Sequence, residues 1–96
     1  MKTIWKYPMP LEDEITFDMP KGARVLSVQV QAGKPYIWAV VDPAREREQR
    51  FFSLRGTGHP DNGAGDMRFI GTFQLAGGGL VFHLFEPESL FHKGSN

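Results

Sequence analysis

Apolar and polar residues alternate with period two along most of the chain, as in "ARVLSVQVQ", "PYIWAVV", "MRFIGTFQL" and "LVFHLFE", and no long window repeats with a period of 3.6. A period of two sends successive side chains to opposite faces, which is the pattern of half-buried strands rather than amphipathic helices. It predicts strands at Thr3–Tyr7, Glu14–Met19, Ala23–Gln31, Pro35–Val41, Arg50–Gly58, Met67–Leu75 and Leu80–Glu86. Turn signals recur about every ten residues, so the expectation is all-β: one small domain, a curved antiparallel meander of about seven strands forming a barrel or sandwich. In "DPAREREQ" (42–49), Asp42 before Pro43 could equally cap one helical turn.

Loop lengths predict registers, and a slip of one residue would exchange the two faces of a strand. A three-residue loop Ala32–Lys34 would set Val30 opposite Tyr36, Val28 opposite Trp38 and Leu26 opposite Val40, making Tyr36 and Trp38 core. A long loop His59–Asp66, with Asn62-Gly63 supplying positive φ, would join adjacent strands. Phe52 would then face Phe73, Leu54 would face Gly71 and Gly56 would face Phe69. A loop Ala76–Gly79 would set Phe73 opposite Phe82 and Gly71 opposite Leu84. Phe52, Phe73 and Phe82 become one aromatic row, with small glycines opposite large side chains where the sheet curls.

Length and composition narrow the rest. Ninety-six residues hold one domain, read as 1–87 with a C-terminal tail 88–96 in which Leu90 and Phe91 would form an amphipathic turn, either docked on the domain or contacting a partner. Eleven basic residues balance eleven acidic ones without a like-charge block, which removes the electrostatic reason to expect general nucleic-acid or membrane binding. With no cysteine, disulfides, zinc-thiolate sites and thiol catalysis are excluded. No apolar stretch is long enough for a leader or a membrane span, so a cytoplasmic protein is expected.

The segment "SLRGTGHPDNGAGDMRF" (53–69) invites a phosphate-loop reading, yet a strand follows its glycines where phosphate loops need a helix. No metal is expected either: His59, Asp61, Asp66, His83 and His92 lack ligand spacing. In the registers above, Ser53, Thr72 and His83 form one outer row, and Arg55 and Thr57 share that face with Arg68. Thr72 would hold Ser53 and His83 two strand spacings apart, roughly 10 Å, and no acid orients the histidine, so no catalytic residue is assigned. The face reads as a solvated polar surface or as a ligand site. In the second case Arg55 and Arg68 would grip a phosphate or carboxylate, with Thr57, His59, Thr72 and His83 around them. Trp5 of "TIWKY" would supply a stacking face or core packing. "LEDEI" and "EPE" read as solvated turns.

Taken together, "MKTIWKY", "MPKGARVLSVQVQAGKPYIWAVVDP", "GTGHP" and "FIGTFQLAGGGLVFHLFE" resemble a family of small proteins of tailed bacteriophages and prophages, over about residues 1–87. The resemblance implies an accessory protein working in the cytoplasm of an infected bacterium, and it brings no catalytic or binding residues with it. The implied function is non-enzymatic binding: an oligomeric sponge for an anionic, nucleotide-derived immune signal, without a cofactor. An inhibitor or adaptor of a host protein, a minor virion component and a small nucleotide hydrolase are the alternatives.

Overall fold

The computed structural model describes residues 1–60 and 64–87, with nothing said of the Ala64 side chain. Seven strands follow in order: β1 (Thr3–Pro8), β2 (Glu14–Pro20), β3 (Arg24–Gln31), β4 (Lys34–Val41), β5 (Arg47–Gly56), β6 (Met67–Leu75) and β7 (Leu80–Pro87). Three-residue 3₁₀ turns precede β6 and β7. All seven expected strands are present within a few residues of their expected ends. "DPAREREQ" is a turn and not a helix: Arg45 N–H donates to the Asp42 carbonyl at 3.0 Å, and the Asp42 carboxylate accepts from Ala44 N–H at 3.1 Å. β5 starts directly afterwards, at Arg47. The proposed Asn62-Gly63 turn and the tail 88–96 lie outside the described residues.

The strands form two antiparallel sheets, β1-β4-β3 and β2-β5-β7-β6, stacked as a sandwich and not closed into a barrel. Their facing sides make the core, centred on Ile15, Met19, Val28, Ile37, Ala39, Val41, Phe52, Leu54, Phe73 and Leu84. Rings cross it in a chain, from Trp5 and Tyr7 to Phe17 (5.4 Å from Tyr7) and Phe52 (5.8 Å from Phe17). At Gly71 the sheets approach so closely that a Cβ there would lie 2.8 Å from Val28 Cγ1.

Three registers need comment. The β6–β7 hairpin pairs Phe73 with Phe82 and Gly71 with Leu84, as expected, and the two rings stack at 5.6 Å. The β3–β4 register is one residue off expectation. Its loop is only Ala32-Gly33, both at positive φ (52° and 80°), so Gln31 pairs with Lys34 and Val28 with Ile37. Ile37 and Ala39 therefore point inward while Tyr36 and Trp38 lie half-exposed on the outer face, and a bulge between Val25 and Ser27 lets Val25 and Val28 both face the core. Finally, β5 does not neighbour β6. β7 lies between them, so Leu54 faces Leu84 and Gly56 faces Phe82, and Phe52 packs on Phe17 instead of joining the Phe73–Phe82 row.

The buried charge is a network at one edge of this core. Arg50 donates Nε to Glu86 Oε2 at 2.7 Å, Nη2 to Oε1 at 3.3 Å and Nη1 to the Ala23 carbonyl at 2.6 Å. Arg68 Nη2 adds 2.7 Å to Glu86 Oε1. Glu86, a strand residue as expected, is buried, whereas "EPE" reads as solvated.

Candidate functional site

With β7 between β5 and β6, the central row of the outer face of the larger sheet runs Arg55, His83, Thr72. Thr57 follows β5, and its N–H donates to the Val81 carbonyl at 3.0 Å, which carries its side chain over the same row. The His83 imidazole is held at both nitrogens: Thr57 Oγ1 lies 2.7 Å from Nε2 and Thr72 Oγ1 2.9 Å from Nδ1. In neutral histidine one ring nitrogen donates and the other accepts, so one threonine is the acceptor and the other the donor. The ring plane is fixed whichever tautomer is present.

Arg55 borders this clamp. Its Nη1 lies 3.4 Å from Glu14 Oε2 and also donates to the Leu54 carbonyl at 3.1 Å, and the side chain is largely buried. Glu14 reaches Ser53 as well, whose Oγ donates to Oε1 at 2.8 Å. After β5 a tight turn folds back, with His59 N–H donating to the Gly56 carbonyl at 3.1 Å and Gly58 at φ 87°. The His59 ring packs over Gly56, where a Cβ would lie 2.7 Å from its Nδ1 and would push the ring aside. Arg55, Thr57, His59, His83 and Phe85 line an open cleft of about 300 Å³. On the other side of Arg55 and His59, Asp13, Glu14 and Pro60 line a cleft of about 380 Å³.

Of the residues expected to share a site, Arg55, Thr57, His59, Thr72 and His83 come together; three others do not. Ser53 pairs with Phe85 and is buried on Glu14, so the expected Ser53–Thr72–His83 row becomes Arg55–His83–Thr72. Arg68 leaves the face because a bulge between Phe69 and Gly71 reverses the alternation of β6, and it pairs with Glu86. Trp5 lies in the other sheet, opposite Ala39, half-buried against the core, with the Arg47 guanidinium 5.1 Å over its ring. Glu14 and Phe85 were not expected at the site; "LEDEI" gave no sign that Glu14 would anchor both Ser53 and Arg55.

Phe85 continues into an apolar patch on the same outer face. The Phe69 ring is 5.6 Å from it, edge to face, and both Phe69 (56%) and Phe51 (41%) are exposed. Among the described residues no three histidine or acidic side chains gather as a metal site, and no helix is long and apolar enough to cross a membrane.

Residues 1–93 match a family described as a domain of unknown function (DUF7352), and the chain belongs to that family. No curated protein and no solved structure matches the chain.

Proposed function

We propose that the protein acts by binding and not by catalysis, and that the His83 cleft holds an anionic, nucleotide-like small molecule. The observation that carries this reading is the imidazole clamped at both nitrogens next to the Arg55 guanidinium. A catalytic histidine is also bonded at both nitrogens, but to a nucleophile on one side and a carboxylate that stabilises the imidazolium on the other; His83 has a threonine hydroxyl on each side, an arrangement better suited to presenting a fixed surface. Among the described residues Ser53 is buried and bonded to Glu14, and the Thr57 hydroxyl meets a histidine with no carboxylate behind it, which argues against a nucleophile. Phe85 offers a face for a base, and Arg55, Thr57 and His59 offer donors for phosphate oxygens.

The phage resemblance supplies the context: an accessory protein that sequesters a nucleotide-derived host signal in the cytoplasm of an infected bacterium. Association into a homo-oligomer is supported by exposed Phe51 and Phe69 on an otherwise folded sheet. The same patch favours a second reading, docking onto a host protein. Mass spectrometry after heat denaturation separates the alternatives: a sponge releases its ligand intact, a hydrolase releases product, and an adaptor releases no small molecule. A ligand at one hundred times its Kd adds about 2.7 kcal/mol of apparent stability. A flat thermal-shift response to cyclic dinucleotides and ADP-ribose derivatives would remove the nucleotide reading.

A further inference from the structure

At the other end of β5 lies a further cleft, of about 250 Å³, with a different chemistry. Two tight turns build it. Lys21 and Gly22 turn β2 into β3, with Gly22 at φ 82° and Ala23 N–H donating to the Pro20 carbonyl at 3.0 Å. The Asp42–Arg45 turn lies alongside, tied by Lys21 N–H to the Glu46 carbonyl at 2.8 Å and by Gly22 N–H to Glu48 Oε2 at 3.2 Å. Lys2, Lys21, Arg24 and Arg45 line this cleft together with Asp42, and two further carboxylates border it, Glu48 on Gly22 N–H and Glu46 beside Lys21.

Asp42 Oδ1 accepts from Ala44 N–H and lies 3.9 Å from the amino terminus, itself a cation, and Glu48 Oε2 lies 4.0 Å from Arg50, so the cluster keeps an excess of positive charge. Lys21 Nζ lies 3.8 Å from Glu46 Oε1, an exposed pair. Lys2, Arg24 and Arg45 have no side-chain hydrogen bond or ion pair among the described residues, and all three are exposed. Arg50, Arg55 and Arg68, by contrast, each meet a carboxylate. In a chain of zero net charge, this local excess of basic side chains around one small concavity gives a positive potential that attracts an anion. The turn N–H groups are already used, so recognition falls to the side chains, in which two arginine forks are matched to phosphate oxygens.

We propose that this cleft, walled by Lys2, Lys21, Arg24 and Arg45, is a separate anion site that takes a diphosphate group. It lies about 30 Å from the His83 cleft, given ten residues of β5 at ~3.3 Å each, and does not depend on that cleft being occupied. The test is calorimetric titration of the full chain with inorganic pyrophosphate and with ADP, alongside NMR shift mapping. Amide shifts are expected at Lys21–Arg24 and Asp42–Arg45. Arg24→Ala/Arg45→Ala should weaken pyrophosphate binding at least about tenfold, whereas Lys34→Ala on the distant hairpin should not. Comparable affinities for the two probes would indicate a free anion as ligand, and tighter ADP a nucleotide diphosphate. Absence of binding at millimolar concentration, unchanged affinity in the arginine variant, or shifts confined to Thr57, His59 and His83 would each overturn the proposal.

Discussion

Glu86→Gln is the most severe single change the structure identifies. The substitution keeps the side-chain shape and removes the charge that receives Arg50 at 2.7 and 3.3 Å and Arg68 at 2.7 Å. The side chains of Arg50 and Glu86 are only 10% and 4% exposed, and the other carboxylate beside Arg50, Glu48, is 4.0 Å away, so the guanidinium would lose its close ionic partner without recovering its hydration. Breaking a buried pair in this way costs about 3–5 kcal/mol. A chain of 96 residues has roughly 5–14 kcal/mol of total stability, so up to most of it would be lost. Urea unfolding followed through Trp5 and Trp38 fluorescence should show the midpoint fall by about 1 M or more, at an m value of about 1–3 kcal/mol/M. Arg68→Ala should cost only about 1 kcal/mol, because Arg68 is 46% exposed and Arg50 keeps its partner. Arg50→Met/Glu86→Leu should recover most of the loss, less about 1 kcal/mol for the Ala23 carbonyl left without Arg50. A Glu86→Gln protein within about 1 kcal/mol of wild type would refute the view that this network is desolvated.

Other consequences follow from single positions. Gly71→Ala forces a methyl to 2.8 Å from Val28 Cγ1 and should destabilise by about 1–3 kcal/mol, read as a lower thermal midpoint. Ala32→Asn should stabilise by about 0.5–1 kcal/mol in the same assay, since Ala32 sits at φ 52° in a two-residue hairpin turn where asparagine is favoured. The Tyr7 hydroxyl is buried with no hydrogen-bond partner among the described residues, so Tyr7→Phe should leave stability at pH 7 unchanged or higher. Burial also raises the Tyr7 pKa, against smaller opposing pulls from Arg47 and Arg50. A folded pKa above the unfolded value of about 10 makes this group's contribution complete below that pH and progressively lost above it, so Tyr7→Phe should flatten part of the alkaline decline in stability.

What the sequence disclosed was mainly local. The strands and the Phe73–Phe82 register were legible because alternation and a short glycine loop act over neighbouring residues. The Ala32-Gly33 turn was misread because alanine conceals a positive φ, and that single residue moved Tyr36 and Trp38 out of the core. Nothing local signals that β7 inserts between β5 and β6, since that pairing is decided by the whole sandwich. The site survived the change in part: Thr57, His83 and Thr72 lie where any neighbour of β7 must place them, and Arg55 replaced Ser53. The Arg50–Glu86–Arg68 network was invisible because charged residues in "REREQR" and "FEPE" carry no mark of burial.

The central claim is that the protein binds without reacting. Native mass spectrometry of protein purified from cells tests it most directly. The account predicts a complex retaining a small phosphorylated molecule, released unchanged on denaturation and lost from a Thr57→Val/His83→Ala variant that still folds. Recovery of a cleaved product, or equal retention by that variant when Arg24 and Arg45 are also replaced by alanine, would contradict it.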